Sequence, residues 1–224
     1  MKTGLQAVAR SLIGLVTFGL LLFWPAGTFN YWQAWVFIAV FTALTAIYTI
    51  YVGVQHPEVL RRRMRAGPAA ETRPVQKIVA AGVYVMFAAL LVVSALDHRF
   101  GWSPAPAAIS VAGDVLVAIG LGITMLVVIQ NTYAAATITV EAGQKVVSTG
   151  LYGLVRHPMY GGALIMLVGI PLALGSYWGL GVIVPSLVIL AVRILDEENA
   201  LTKELDGYSE YLHKVHYRLV PYVW

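Results

Sequence analysis

Ala108–Gln130 reads AISVAGDVLVAIGLGITMLVVIQ, and this run decides the fold class. A helix needs about 20 apolar residues to cross the hydrocarbon core of a bilayer. This run is long enough, and so are residues 32–54 and 76–96. A run at 8–24 is marginal. Two shorter runs, 158–174 and 177–195, share only the connection Gly175-Ser176-Tyr177 and should form a tight hairpin. Pro171 and Pro185 should bend them, which a bundle tolerates when neighbours satisfy the freed backbone groups. The expected fold is therefore all-α: a polytopic transmembrane helical bundle of about six spans, five being the alternative.

Composition agrees. The 224 residues are 59% hydrophobic and 12% charged, with mean hydropathy +0.76. Soluble domains carry about 25% charged residues, so no sizeable soluble domain is expected. The chain has no cysteine, which excludes disulfides, thiolate metal sites, cysteine nucleophiles and a prenylated cysteine of its own. Lys2 and Arg10 before the first run resemble a signal peptide, but no Ala-x-Ala cleavage site follows, so the run is expected to be retained.

In a six-span arrangement one side carries Lys2, Arg10, Arg61, Arg62, Arg63, Arg65, Arg73, Lys77, Lys145, Arg156, Arg193, Lys203, Lys214 and Arg218. The other carries only Arg99. Cytoplasmic loops are rich in Lys and Arg, so both termini are expected in the cytoplasm. An inner membrane whose cytoplasmic face holds both termini is the expected location. The net charge of +4 and the Arg61–Arg65 run then need only anionic headgroups as partners, not nucleic acid.

Two cytoplasmic segments remain. In 131–157, Thr137-Ile138-Thr139-Val140, Gly143 and Lys145-Val146-Val147 read as a short extended piece with a turn. In the tail, Leu201, Leu205, Tyr208 and Leu212 recur at helical spacing. The tail is expected to be an amphipathic helix continuing the last span against the cytoplasmic face, with Tyr217, Tyr222 and Trp224 at the interface.

Gly150-Leu151-Tyr152 leads into Arg156-His157-Pro158-Met159-Tyr160 where the polar loop meets an apolar run. Pro158 suits the first turn of a helix. Arg156 and His157 then precede a helix N-terminus whose N–H groups favour an anion, a carboxylate for example. The returning helix ends in Asp196-Glu197-Glu198. Three consecutive residues span about 200° of helix, so at least one acid should point inward, where it would accept from an amine or ribose hydroxyls. Together these features suit a zwitterionic nucleoside. Taken singly, each has a plainer explanation. Arg156 suits a membrane anchor, His157 a capped interfacial residue, and Glu197 and Glu198 a solvated helix end paired with Arg193. Tyr152 and Tyr160 suit an aromatic belt, and Gly120-Leu121-Gly122 a packing notch.

Residues 131–224 resemble the C-terminal half of the isoprenylcysteine carboxyl methyltransferase family, in its bacterial branch. Five blocks match in order. They are Gly150-Leu151-Tyr152 with Val155-Arg156-His157-Pro158-Met159-Tyr160-Gly161-Gly162; Leu172-x-Leu174-Gly175-Ser176; Arg193-Ile194-x-x-Glu197-Glu198-x-x-Leu201; Gly207-Tyr208-x-x-Tyr211; and Tyr217-Arg218-Leu219-Val220-Pro221. Residues 1–130 share only topology with the family and are read as scaffold and substrate side, within one integrated domain.

The resemblance implies an integral membrane methyltransferase that uses S-adenosyl-L-methionine and a lipophilic or lipidated acceptor, a carboxylate being favoured. It implies Arg156, His157 and Glu198 as catalytic residues. It also implies Tyr152, His157, Tyr160, Glu197, Glu198, Tyr208 and Tyr211 around the cofactor, and no metal. A carboxylate acceptor needs no general base; for an amine, hydroxyl or thiol, His157 or Glu198 is the candidate. Membrane sterol reductases, which bind a nicotinamide cofactor, also carry an Arg-His-x-x-Tyr element, although usually with an Arg-Asp helix and more spans. A non-enzymatic lipid-binding protein is the third alternative.

Overall fold

The computed structural model describes residues 2–64, 67–134, 137, 140 and 143–224, with no side-chain description for residues 2–8, 10 and 11. Eight α-helices make up the described chain: α1 (Lys2–Ala26), α2 (Trp32–Gln55), α3 (Pro57–Arg63), α4 (Pro74–Phe100), α5 (Ala107–Gln130), α6 (Pro158–Ala173), α7 (Ile183–Glu204) and α8 (Tyr208–Lys214). No strand occurs among the described residues. Within the described residues, four helical stretches are long and apolar enough to cross a membrane: α2, α4, α5, and α7 with the 3₁₀ turn before it. Two shorter apolar helices, Leu12–Ala26 and Pro158–Ala173, accompany them.

The long helices alternate in direction, and hydrogen bonds identify the two ends. At one end the Tyr31 hydroxyl donates to the Leu174 carbonyl at 2.7 Å, and Tyr31 stacks on His98. Ser176 Oγ donates to Asp97 Oδ2 at 2.6 Å, and Ser103 also bonds to Asp97. At the other end Arg62 and Arg63 donate to the carbonyls of Thr132 and Ala134. The expected tight hairpin between α6 and α7 is present. Gly175 turns the chain with φ +71°, in the left-handed region that suits glycine. A 3₁₀ turn, Trp178–Val182, then leads into α7.

The central core joins Leu22 and Phe23 of α1, Phe37 of α2, Leu90 and Leu91 of α4, Val117 of α5 and Ile170 of α6. α5 and α6 approach most closely through glycine. A Cβ at Gly120 would lie 2.5 Å from the Gly162 carbonyl oxygen, and one at Gly169 would lie 2.9 Å from that of Gly113. Small residues permit such backbone contact, from which apolar helices gain dispersion energy in lipid. Gly120 is thus the packing notch anticipated for Gly120-Leu121-Gly122, whereas Gly122 faces open space.

Two local expectations change. α7 runs nine residues beyond 195, so Asp196–Glu198 lie within the helix rather than at its end. The tail is not one continuous helix. α7 stops at Glu204, Gly207 adopts φ +81°, and α8 is only seven residues long. Leu205, Tyr208, Tyr211 and Val215 form a separate small core with Val146 packed against it. The break at Gly207 turns these side chains onto the 144–148 loop. In the expected extended piece, Gly143 lies in a turn and Lys145–Val147 are not in a strand. Ile138 and Thr139 lie outside the described residues, as does Arg65.

Candidate active site

The end of the bundle that gathers α3, the N-terminus of α6 and the C-terminus of α7 holds a cleft. The N-terminus of α6 supplies Arg156, His157, Met159 and Tyr160 to its lining; α7 supplies Glu197 and Leu201; α8 supplies Tyr208 and Tyr211. The loop after α5 closes it with Asn131, Tyr133 and Lys145, and the 3₁₀ turn Gly150–Gly153 adds Tyr152. A concave site that combines aromatic walls with a few placed polar groups is the usual form of a small-molecule site.

Local sequence explains the placement of Arg156 and His157. Pro158 opens α6 and lacks an N–H, so the chain enters the helix extended. The N–H groups of Arg156 and His157 donate to the carbonyls of Tyr217 and Arg218, each at 2.9 Å. The tail thus clamps the Arg-His pair from behind. The N–H groups of Tyr160 and Gly161 turn back onto the His157 carbonyl, which occupies part of the helix N-terminus.

The three consecutive acids face three sets of partners, as 100° per residue requires. Asp196 accepts from Arg73 Nη2 at 2.7 Å and from Gln76 Nε2. Glu197 Oε2 accepts from the Tyr160 hydroxyl at 2.6 Å. Glu198 is 7% exposed and accepts from Arg218 Nε at 2.9 Å and from His157 Nε2 at 3.2 Å. Arg156 Nε lies 3.2 Å from Glu198 Oε1. That N–H is not aimed at the carboxylate, and it is buried without a hydrogen-bond partner. Arg156 Nη2 donates to the His216 carbonyl at 3.3 Å.

Of the residues singled out from sequence, Tyr152, Arg156, His157, Tyr160, Glu197, Tyr208 and Tyr211 line one cleft. Glu198 does not line it. It stands behind Arg156 and His157 and holds them, because its two oxygens are directed at Arg218 and at the Arg-His pair.

The tyrosines are proton-bearing groups at neutral pH. Burial pushes the Tyr152 hydroxyl up to about 12, the Asn131 amide beside it acting against this. Burial, and then the carboxylates of Glu198 and Glu197, raise Tyr208 well above the ordinary phenol value. Burial raises Tyr211 too, and its hydroxyl donates to the Tyr152 carbonyl at 2.7 Å.

Sequence reasoning gave no site role to two arginines. Arg218 was read as a topological charge, yet it donates to Glu198 and lies over the Trp224 ring at 5.3 Å. Arg193, which the plainer reading of the helix end pairs with the acids, donates through Nε to the Tyr160 hydroxyl at 2.8 Å, and that hydroxyl donates to Glu197. The signal available for Arg193 was its register, four residues before Glu197. Arg218 stands in the matching block Tyr217-Arg218-Leu219-Val220-Pro221, which gave it no role.

An apolar groove lies deeper along α6 and α7, with α4 as its third wall. Val83, Phe87, Leu164, Leu167, Ile189 and Leu190 line it. Tyr160 and Leu164 are successive on one face of α6, so the Arg193–Tyr160–Glu197 bridge stands between the polar cleft and the apolar groove, which share no lining residue.

Comparison with known proteins gives two findings. A family profile described as phospholipid methyltransferase matches residues 108–208, a segment that includes α5, α6, α7 and most of the cleft lining. The chain is also 35% identical over 95 residues to the Delta(14)-sterol reductase TM7SF2 of Mus musculus. That alignment covers 39% of this chain and 22% of the mouse protein, so the chain spans about a fifth of that curated relative.

Proposed function

We propose that the protein is an integral membrane methyltransferase of the isoprenylcysteine carboxyl methyltransferase type. It takes S-adenosyl-L-methionine in the cleft and a lipophilic acceptor from the adjoining groove. What supports this most is the arrangement on α6 and α7: a cleft lined by Arg156, His157, Tyr160 and Glu197, with a groove of apolar side chains deeper along the same two helices. The phospholipid methyltransferase profile across the same helices supports it independently.

The residues fit such a cofactor. Arg156 brings a positive charge to the lining for a carboxylate, Glu197 faces amines or hydroxyls, and Tyr208 and Tyr211 give flat walls for a purine. The bound cofactor supplies a methyl group on a sulfonium, which leaves as a neutral thioether. The protein's tasks are alignment and exclusion of water. Tyr152, Tyr211 and the loop residues Asn131, Tyr133 and Lys145 cover the cleft from the aqueous side. Tyr160, fixed between Arg193 and Glu197, marks the point that the acceptor's polar head must reach. A carboxylate head is favoured: it is deprotonated at neutral pH and needs no proton acceptor. The Nε2 of His157 is already committed to Glu198. Glu198 acts as a positioning residue rather than a cofactor contact.

The same reading places six spans in the membrane, with Leu12–Ala26 of α1 and Pro158–Ala173 of α6 as the shorter two and both termini in the cytoplasm. All the basic residues at the cleft end then obey the positive-inside rule, and Arg99 lies opposite, near Pro25.

The sterol reductase similarity favours a second reading, a nicotinamide-dependent reductase on the same helices. Calorimetry on purified protein in nanodiscs decides between them. Saturable binding of S-adenosylhomocysteine is expected. Saturable binding of NADPH with no response to S-adenosylhomocysteine would establish the reductase instead.

A further inference from the structure

Arg193 carries a second set of contacts, from a part of the chain outside the family match. Its Nη1 donates to Gln76 Oε1 at 2.8 Å and to Glu71 Oε1 at 3.3 Å. Glu71 precedes α4, and Gln76 lies in the first turn of α4. Both are almost wholly buried, at 4% and 0% exposed, and neither lines the cleft. Gln76 uses its other end too, because its Nε2 donates to Asp196. Asp196 is in turn held by Arg73, at the N-cap of α4. The amide of Gln76 thus ties two residues of α7, three positions apart, to the start of α4.

Burying a carboxylate and an amide against a guanidinium is a weak way to gain stability. Well-packed apolar residues of the same volume do as well or better. Such a contact does fix orientation. A guanidinium is planar and rigid, so two acceptors on Nη1 set the plane of the group and the direction of Nε–H. That N–H meets the Tyr160 hydroxyl, which therefore keeps its own proton directed at Glu197.

We propose that Glu71 and Gln76 are positioning residues for methyl transfer. Acting through Arg193, they set the Tyr160 hydroxyl and the Glu197 carboxylate at the junction of cleft and groove. The N-terminal half is then part of the active site's support and not only a membrane scaffold. This rests on the methyltransferase reading above.

The test compares wild type, Glu71→Gln, Gln76→Leu, Gln76→Asn and Ser176→Ala in nanodiscs. Ser176 supports the opposite end of the bundle through Asp97 and serves as the purely structural comparison. Three quantities are measured: S-adenosylhomocysteine affinity, melting temperature, and kcat/KM for a prenylated carboxylate acceptor. Gln76→Leu is expected to lower kcat/KM by about tenfold or more and Glu71→Gln by about threefold, both with cofactor-product affinity within about twofold of wild type. Ser176→Ala should lower the melting temperature without moving kcat/KM. If Gln76→Leu does not fold, Gln76→Asn and Glu71→Gln carry the comparison. A wild type that turns over while the Glu71 and Gln76 variants match it overturns the positioning role alone. So does a loss of rate that merely tracks melting temperature, in Ser176→Ala as in the others. A wild type that methylates no acceptor overturns both this role and the reading of the site.

Discussion

Replacing Glu198 by Gln removes one negative charge from a point where three positive or proton-bearing groups converge. In the native site its oxygens accept from Arg218 Nε at 2.9 Å and His157 Nε2 at 3.2 Å, with Arg156 Nε also at 3.2 Å. A glutamine of the same shape keeps one acceptor oxygen and turns an NH₂ toward the other side. Either Arg218 or the Arg-His pair then faces a donor. The loss is about one hydrogen bond to a charged group, roughly 1.5–3 kcal/mol. At about 1.4 kcal/mol per factor of ten, that is roughly 10- to 100-fold in an equilibrium constant. Arg156 and His157 line the cleft and Glu198 does not, so the loss should reach the ligand through their displacement. Calorimetric titration of S-adenosylhomocysteine into Glu198→Gln should therefore show affinity reduced at least tenfold. Arg218→Ala, on the other oxygen of the same carboxylate, should show a smaller drop in the same direction. Glu198→Gln binding like wild type, in protein whose melting temperature is unchanged, would refute the view that this carboxylate sets the Arg-His pair.

Three further outcomes are expected. Gly120→Ala should destabilise the bundle by about 1–3 kcal/mol because its Cβ would meet the Gly162 carbonyl, whereas Gly122→Ala, facing open space, should not; equal melting temperatures for the two variants would count against the glycine contact between α5 and α6. Single cysteines at positions 102 and 143, in a chain with no native cysteine, should label from opposite sides of a sealed membrane, and labelling from one side would reject the six-span topology. Leu164→Trp in the groove should slow methylation of a prenyl or long-acyl carboxylate by about tenfold while sparing S-adenosylhomocysteine binding; equal loss of both would mean that cleft and groove are not separate subsites.

The helices were legible because apolar runs in a chain with so few charges have little other use, and α2, α4 and α5 match their runs within a few residues. The cleft was partly legible: Arg-His-Pro at a helix start and three acids on the returning helix fall at one membrane boundary, and the family resemblance added Tyr152, Tyr160, Tyr208 and Tyr211. Other features could not be read locally. Gly207 interrupts a spacing of Leu201, Leu205, Tyr208 and Leu212 that is helical on both sides of it, so the periodicity hid the break. Glu71 and Gln76 meet Arg193 across more than a hundred residues, a pairing that no period or motif encodes.

Arg218 and Arg193 were missed for a different reason, which concerns what charge means at a membrane boundary. Lys and Arg set orientation, so each one at the cleft end already has an explanation and carries little further information. Asp and Glu contribute little to orientation, so an acid at the same boundary lacks that ready explanation. The chain has fifteen basic residues and eleven acidic ones. Of the acids, Glu71, Asp196, Glu197 and Glu198 all fall in the networks at the cleft end, and each is bonded to a side chain from another element. Arg73, Arg156, Arg193 and Arg218 stand beside them, four positive charges to four negative. This balance lets so much charge gather at the edge of an apolar bundle. The carboxylates, asked which cations they require, lead to Arg218 and Arg193; the cations, each already accounted for by topology, do not lead back.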